Sequence, residues 1–214
     1  MKTKSLDYIN LLCQRYPVLS ECKDDIIKST ELLIETYSTG GKLLICGNGG
    51  SGADSEHIVG ELMKGFVLPR HISKELADKI KTTSSNADYL ISNLQYGLPS
   101  ISLVSHTALS TAFANDKAPD VCFAQQVLGY GKRGDSLLGI STSGNSKNVV
   151  YAFEVAKAIG VKTIALTGHK DSKLSAIADI TIKVPSTITY QIQELHLPVY
   201  HAICLALENE FFGE

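Results

Sequence analysis

The sequence predicts an α/β fold, with parallel strands covered by helices on both faces. Two observations carry that expectation. Five short apolar runs, near residues 42–46, 101–104, 136–140, 161–166 and 179–184, alternate with stretches whose apolar residues recur at helical spacing. Two of those runs open directly into turns rich in glycine or hydroxyl side chains, as strands do where they hand over to a ligand-facing loop. At 214 residues the chain fits one domain with helical additions.

The elements follow in order. Leu6, Ile9, Leu11 and Leu12, then Ile26, Ile27, Leu32, Leu33 and Ile34, predict two amphipathic helices within residues 1–40, the second stopped by Gly40 and Gly41. Their apolar faces suit either a partner subunit or their own domain. The first strand, 42–46, leads through a glycine-rich turn into a helix carrying His57 and Glu61. Residues 66–99 carry no strand pattern; helices at 73–81 and 87–96, separated by a polar stretch, make this a helical insertion. The second strand precedes a helix that ends at Asn115 and Asp116, and a further helix starts near Pro119. Strand three feeds Ser141, Thr142, Ser143, Gly144, Asn145 and Ser146, then a helix to about 159. After strands four and five, a long helix covers 189–210, with Pro198 inside it as an expected kink.

Two turns lie at the carboxyl ends of strands, where ligands of open α/β sheets collect. In the first, Gly47, Asn48, Gly49, Gly50, Ser51 and Gly52 allow positive φ and close approach to the backbone. The helix that follows aims unpaired N–H groups and its positive dipole end at whatever binds, which favours an anion. Glycines here also match GxGxxG, but no acidic residue ends the second strand to hold a ribose, so no nucleotide cofactor is expected; nor does Gly-Lys-Ser/Thr follow, as a Walker A loop requires. The second turn concentrates four hydroxyls in six residues. One helix cap needs one hydroxyl, so four point to phosphate rather than capping alone. His57 and Glu61, four apart, share one helix face just behind the first turn, and Gln193, Glu194, His196 and His201 gather on the last helix.

Composition excludes other classes. A formal net charge of −2 gives no support for nucleic-acid binding, and no stretch approaches the length of a membrane span. The N-terminus has no signal-peptide apolar region, and five cysteines in no metal-site spacing read as reduced core thiols, so a cytoplasmic protein is expected.

These motifs together resemble the sugar isomerase (SIS) domain family, over about residues 5–210 apart from the insertion, and within it the members acting on seven-carbon sugar phosphates. The resemblance implies a three-layer sandwich with a five-stranded parallel sheet, one SIS domain spanning 1–214, and a homotetramer with active sites at subunit interfaces. It implies conversion of the ketose sedoheptulose 7-phosphate to an aldose. Asn48, Gly49, Gly50, Ser51, Asn115 and Asp116 would contact the sugar, with Glu61 and Gln193; Ser141, Thr142, Ser143 and Ser146 would hold the phosphate. Glu61 and His201 would be the acid–base pair. In metal-bound members the places of His57, Glu61, Gln193 and His201 ligate zinc. Gln193 and His201, however, are eight residues apart, about 12 Å along a straight helix. The family also holds a non-enzymatic member that binds the bacterial replication initiator; it lacks the carboxylate and the imidazole present here at Glu61 and His201.

Overall fold

Five strands form one parallel sheet in the computed structural model, which describes residues 1–213. They are β1 (Leu43–Gly47), β2 (Ser100–Ser102), β3 (Ser136–Ser141), β4 (Lys162–Thr167) and β5 (Ile180–Lys183), in the order β2-β1-β3-β4-β5. Successive side chains of a strand face opposite ways, and the core divides accordingly. Leu43 and Ile45 join Leu138, Ile140, Ile164, Leu166 and Ile182 on one face. Leu44 and Cys46 join Leu137 and Ala165 on the other. Both faces are covered, so the strands read as continuous apolar runs.

The first face is packed by α1 (Thr3–Arg15), α2 (Lys23–Ser38), α3 (Gly50–Met63) and α10 (Thr189–Phe212). Ile9, Leu12, Ile26 and Leu33 are buried there. The N-terminal helices therefore spend their main apolar face on their own domain and leave Leu11 exposed. The second face is packed by α7 (Cys122–Tyr130) and α8 (Lys147–Ala158). The insertion is helical as expected, forming α4 (Lys74–Thr83) and α5 (Ala87–Asn93), and α4 buries no residue at all. Helix α6 (Thr107–Asp116) ends at the predicted Asn115 and Asp116. A short helix, α9 (Lys173–Ile177), and two 3-10 turns at Pro17–Cys22 and Pro119–Val121 complete the chain.

One buried ion pair ties the root of the insertion to the core. Arg70 and Glu208 are both removed from solvent, with Arg70 Nε donating to Glu208 Oε1 at 2.9 Å. The same carboxylate accepts backbone N–H bonds from Phe66, Val67 and Leu68. The guanidinium also donates to the carbonyls of Leu62 and Glu61 at the end of α3. Buried charges persist only when paired and fully hydrogen-bonded, and this pair satisfies both conditions.

Candidate active site

The register aligns Gly47 with Ile140 and Ser141 with Thr167, so the loops after β1, β3 and β4 leave the sheet along one edge. The order also reverses between β1 and β3: β2 lies outside β1, whereas β4 and β5 lie beyond β3. A crevice at such a reversal is where open α/β sheets bind ligands. Gly49, with φ +55°, makes the turn into α3, and Asn48, Gly49 and Gly50 are exposed while Ser51 is buried. Asn48 and Asn148 bridge the two loops by a reciprocal pair of amide hydrogen bonds, 2.9 Å each.

Across the crevice, Gly144 with φ +63° turns the hydroxyl loop, and its N–H donates to Ser141 O. Ser146 occupies the N-cap of α8 yet makes no side-chain cap bond; its hydroxyl meets Ser141 Oγ at 3.0 Å instead. Simple capping therefore does not account for it. Beside the loop lies a cavity of 220 Å³ lined by Thr142, Ser143, Asn145, Gly168, Ser186 and Thr187, among others. Its walls combine the hydroxyls of Thr142, Ser143, Ser186, Thr187 and Thr189 with Lys170, His169 and the Asp171 carboxylate, while Ser141 and Ser146 lie outside it. The hydroxyls and the cation suit an oxyanion, and the carboxylate does not.

Helices α3 and α10 run side by side and place the third group. His57 Nε2 lies 3.4 Å from Glu61 Oε1 and 3.4 Å from His201 Nε2. Three of the four residues predicted as acid, base and metal ligands thus converge, although His57 and His201 stand 144 positions apart in sequence. Glu61 Oε2 also accepts from Lys64 Nζ at 3.2 Å. Burial, and next the neighbouring His57, hold His201 below the usual imidazole range, while Glu61 pulls it the other way. Phe66 closes on the His201 ring edge-on, with centroids 5.5 Å apart.

Gln193 is not brought to these three in one chain. Its amide lies over the start of α3, where a Cβ on Gly50 would sit 2.7 Å from Gln193 Nε2. Gly50 and His57 are seven residues apart on α3, about 10 Å along the axis, so Gln193 belongs to the loop end of the site. The donors that do meet fit a zinc ion in kind: two imidazoles and a carboxylate. Two of the three separations also match: His57 Nε2 stands 3.4 Å from each of the other two, as ligand atoms about 2.1 Å from a tetrahedral zinc do, whereas Glu61 and His201 make no such contact with each other. The shell is not closed: among the described residues no three His, Cys, Asp or Glu side chains surround a common point as a metal needs.

Asn115 and Asp116 are exposed at the end of α6 and hydrogen-bond to each other, Asn115 Nδ2 to Asp116 Oδ1 at 2.9 Å. Three residues of the site escaped sequence reasoning. Asn148 pairs with Asn48, and Tyr200 places its hydroxyl 3.1 Å from Asp54 Oδ1 and 3.0 Å from His57 Nδ1. Asp54 stands three before His57 on α3, a spacing legible in the sequence. No local signal marks Tyr200 or Asn148.

Residues 7–97 and 91–168 match the model of the SIS domain. The chain is 37% identical to the phosphoheptose isomerase of Aliarcobacter butzleri, over 90% of this chain and 89% of that one. It is 39% identical to the phosphoheptose isomerase of Helicobacter pylori strain Shi470, over 90% and 88%. Among solved structures, phosphoheptose isomerase from Neisseria gonorrhoeae superposes with a TM-score of 0.72 at 30% identity, covering 92% of this chain and 94% of that chain. The enzyme from Francisella tularensis gives 0.73 at 28% identity, covering 98% and 100%. By sequence and by fold, the chain belongs to the SIS domain family.

Proposed function

We propose that the chain is an aldose–ketose isomerase that converts sedoheptulose 7-phosphate to D-glycero-D-manno-heptose 7-phosphate. The observation that carries this reading is the meeting of Glu61, His57 and His201, in a chain similar over most of its length to phosphoheptose isomerases. Isomerisation moves one proton from C1 to C2 and one from O1 to O2 through an enediolate. It needs a base, an acid and relief of negative charge. Glu61 takes the C1 proton and returns it to C2. His201, kept neutral and accessible, exchanges the proton between the two oxygens. The hydroxyls of Ser141, Thr142, Ser143 and Ser146 hold the remote phosphate, so that the open-chain sugar presents its C1–C2 edge to Glu61. Asn48, Gly49, Gly50, Ser51 and Gln193 line the loop end and orient the sugar hydroxyls, with Asn115 and Asp116 reaching them in the assembled enzyme.

His57, Glu61 and His201 would hold one Zn2+, Glu61 and His201 moving protons only when loosened from it, with Gln193 near enough to serve only if α10 or a second subunit shifts it. The ion would polarise the carbonyl and neutralise the enediolate. Two imidazole donors favour zinc over magnesium, which prefers oxygen. We place the enzyme in the cytoplasm as a homotetramer; among the described residues no helix is long and apolar enough to cross a membrane.

Three measurements test these roles. Incubation with a panel of ketose phosphates, followed by NMR, should show aldose formation from the seven-carbon substrate. Glu61→Gln should lower kcat by at least ~100-fold with KM little changed, because it removes a proton acceptor and keeps the shape. A kcat within a few-fold of the original would remove Glu61 as the base. Stripping with a strong chelator should abolish activity and added Zn2+ should restore it; full activity in protein shown metal-free by elemental analysis would refute the zinc role.

A further inference from the structure

We infer that Tyr200 and Asp54 form a positioning relay that sets which nitrogen of His57 carries its proton, leaving Nε2 as the free lone pair facing Glu61 and His201. The inference rests on the isomerase reading only for its purpose; its geometry stands alone. The Tyr200 hydroxyl lies 3.1 Å from Asp54 Oδ1 and 3.0 Å from His57 Nδ1. A hydroxyl has one proton to give. A carboxylate can only accept, so that proton goes to Asp54. The hydroxyl oxygen then has only lone pairs left for His57, and Nδ1 must be the donor. A neutral imidazole with its proton on Nδ1 has its lone pair on Nε2. That is the nitrogen 3.4 Å from both Glu61 Oε1 and His201 Nε2.

Without the relay the opposite tautomer is favoured, because the Glu61 carboxylate 3.4 Å from Nε2 can only accept. His57 is 42% exposed at its side chain, and its other polar neighbours, Glu61 Oε1 and His201 Nε2, meet it at Nε2 and leave Nδ1 to Tyr200. Tyr200 itself is fixed: it is 2% exposed, and its ring packs edge-on to His57 and His201 with centroids 5.5 and 5.0 Å away. Asp54 is carried on the same helix as His57, one turn earlier, so the relay clamps α3 to α10 at the imidazole. Outer partners of this kind orient ligating imidazoles and raise their donor strength; their loss costs about 10–100-fold in metal affinity. Neither residue touches the reacting atoms, and no change of charge is involved.

The test reads the tautomer first, zinc affinity second, and activity only to separate this inference from the isomerase reading. In metal-free protein with 15N-labelled histidine, above the imidazole titration range, long-range 1H–15N spectra distinguish a protonated from an unprotonated ring nitrogen. His57→Gln assigns the His57 signals by their loss. The expected result is His57 protonated on Nδ1 in the native chain, shifting towards Nε2 in Tyr200→Phe, which keeps the ring and its packing. Asp54→Asn should shift it in the same direction, because an amide can donate to the Tyr200 oxygen and turn the hydroxyl towards His57. Zinc affinity, read by competition with a chromophoric chelator, should fall about 10–100-fold in Tyr200→Phe. A native His57 protonated on Nε2 overturns the inference, as does an unchanged tautomer in both variants. Absence of isomerase activity in the native enzyme would remove the functional reading and leave the tautomer result standing.

Discussion

His196 shows what a single residue of α10 costs and contributes. It is fully buried, and burial pulls its pKa down from 6.5 to about 4, against a weaker pull from the Thr167 backbone, which lies close but outside hydrogen-bond geometry. Between those two values the unfolded chain binds a proton that the native chain refuses. The unfolded state holds more protons there, so stability rises with pH across that window and falls as pH drops from 6.5 towards 4. Each pH step of one within the window is worth about 1.4 kcal/mol, so lowering the pH from 6.5 to about 5 should cost the native chain about 2 kcal/mol through this residue. Urea unfolding of the native chain and of His196→Gln at pH 7 and pH 5 measures it: the native chain should lose about 2 kcal/mol more than the variant. Parallel pH slopes would show that His196 is not the cause. At this scale the sequence was most readable where partners are near in the chain. His57 and Glu61 announce themselves by a spacing of four, and the hydroxyl loop by its density. Tyr200 and Asp54 are separated by 146 positions and Asn48 and Asn148 by 100, and no local pattern records such meetings.

Among elements, α3 and α10 matter most, and the Arg70–Glu208 pair is what locks their far ends together. Removing one partner of a buried ion pair usually costs about 3–5 kcal/mol, whereas replacing both by apolar residues is often neutral. Here the second rule should fail. Glu208 also accepts three backbone N–H bonds from Phe66, Val67 and Leu68, and those donors stay unsatisfied whatever replaces Arg70. We therefore expect Glu208→Leu to lose at least ~3 kcal/mol in urea unfolding, and Arg70→Met with Glu208→Leu to recover little of it. A double variant as stable as the native chain would mean that those amides find water or other partners. The strands were legible because burial on both faces makes them uninterrupted apolar runs, and each predicted run overlaps its strand. Helix α9, five residues long, and the 3-10 turn at Pro17–Cys22 were not, since neither spans enough residues to display a period. The strand order was not legible either: alternation of strand and helix says parallel, but not on which side of β1 the next strand is laid.

For the molecule as a whole, the surface that remains exposed argues for assembly. Helices α1 and α10 leave between them a groove of 140 Å³ lined by Tyr8, Leu11, Leu12, Leu197 and His201, among others. Leu11 and Leu197 are 47% and 40% exposed on its rim. Covering an apolar side chain of this size contributes about 1–2 kcal/mol, and the groove includes the imidazole assigned to acid–base work. A subunit seated there would both hide the leucines and wall off His201 from bulk water, which strengthens the electrostatics that proton transfer depends on. Closed symmetry is the usual form of such homo-oligomers. The expected mass by light scattering is four times the 23.1 kDa of one chain. Leu11→Glu, which sets a charge on the rim without touching His201, should lower that mass and reduce kcat at least ~10-fold together with it, while circular dichroism stays native. A stable monomer with full activity, in the native chain or in the variant, would sink the assembly and leave a site complete within one subunit.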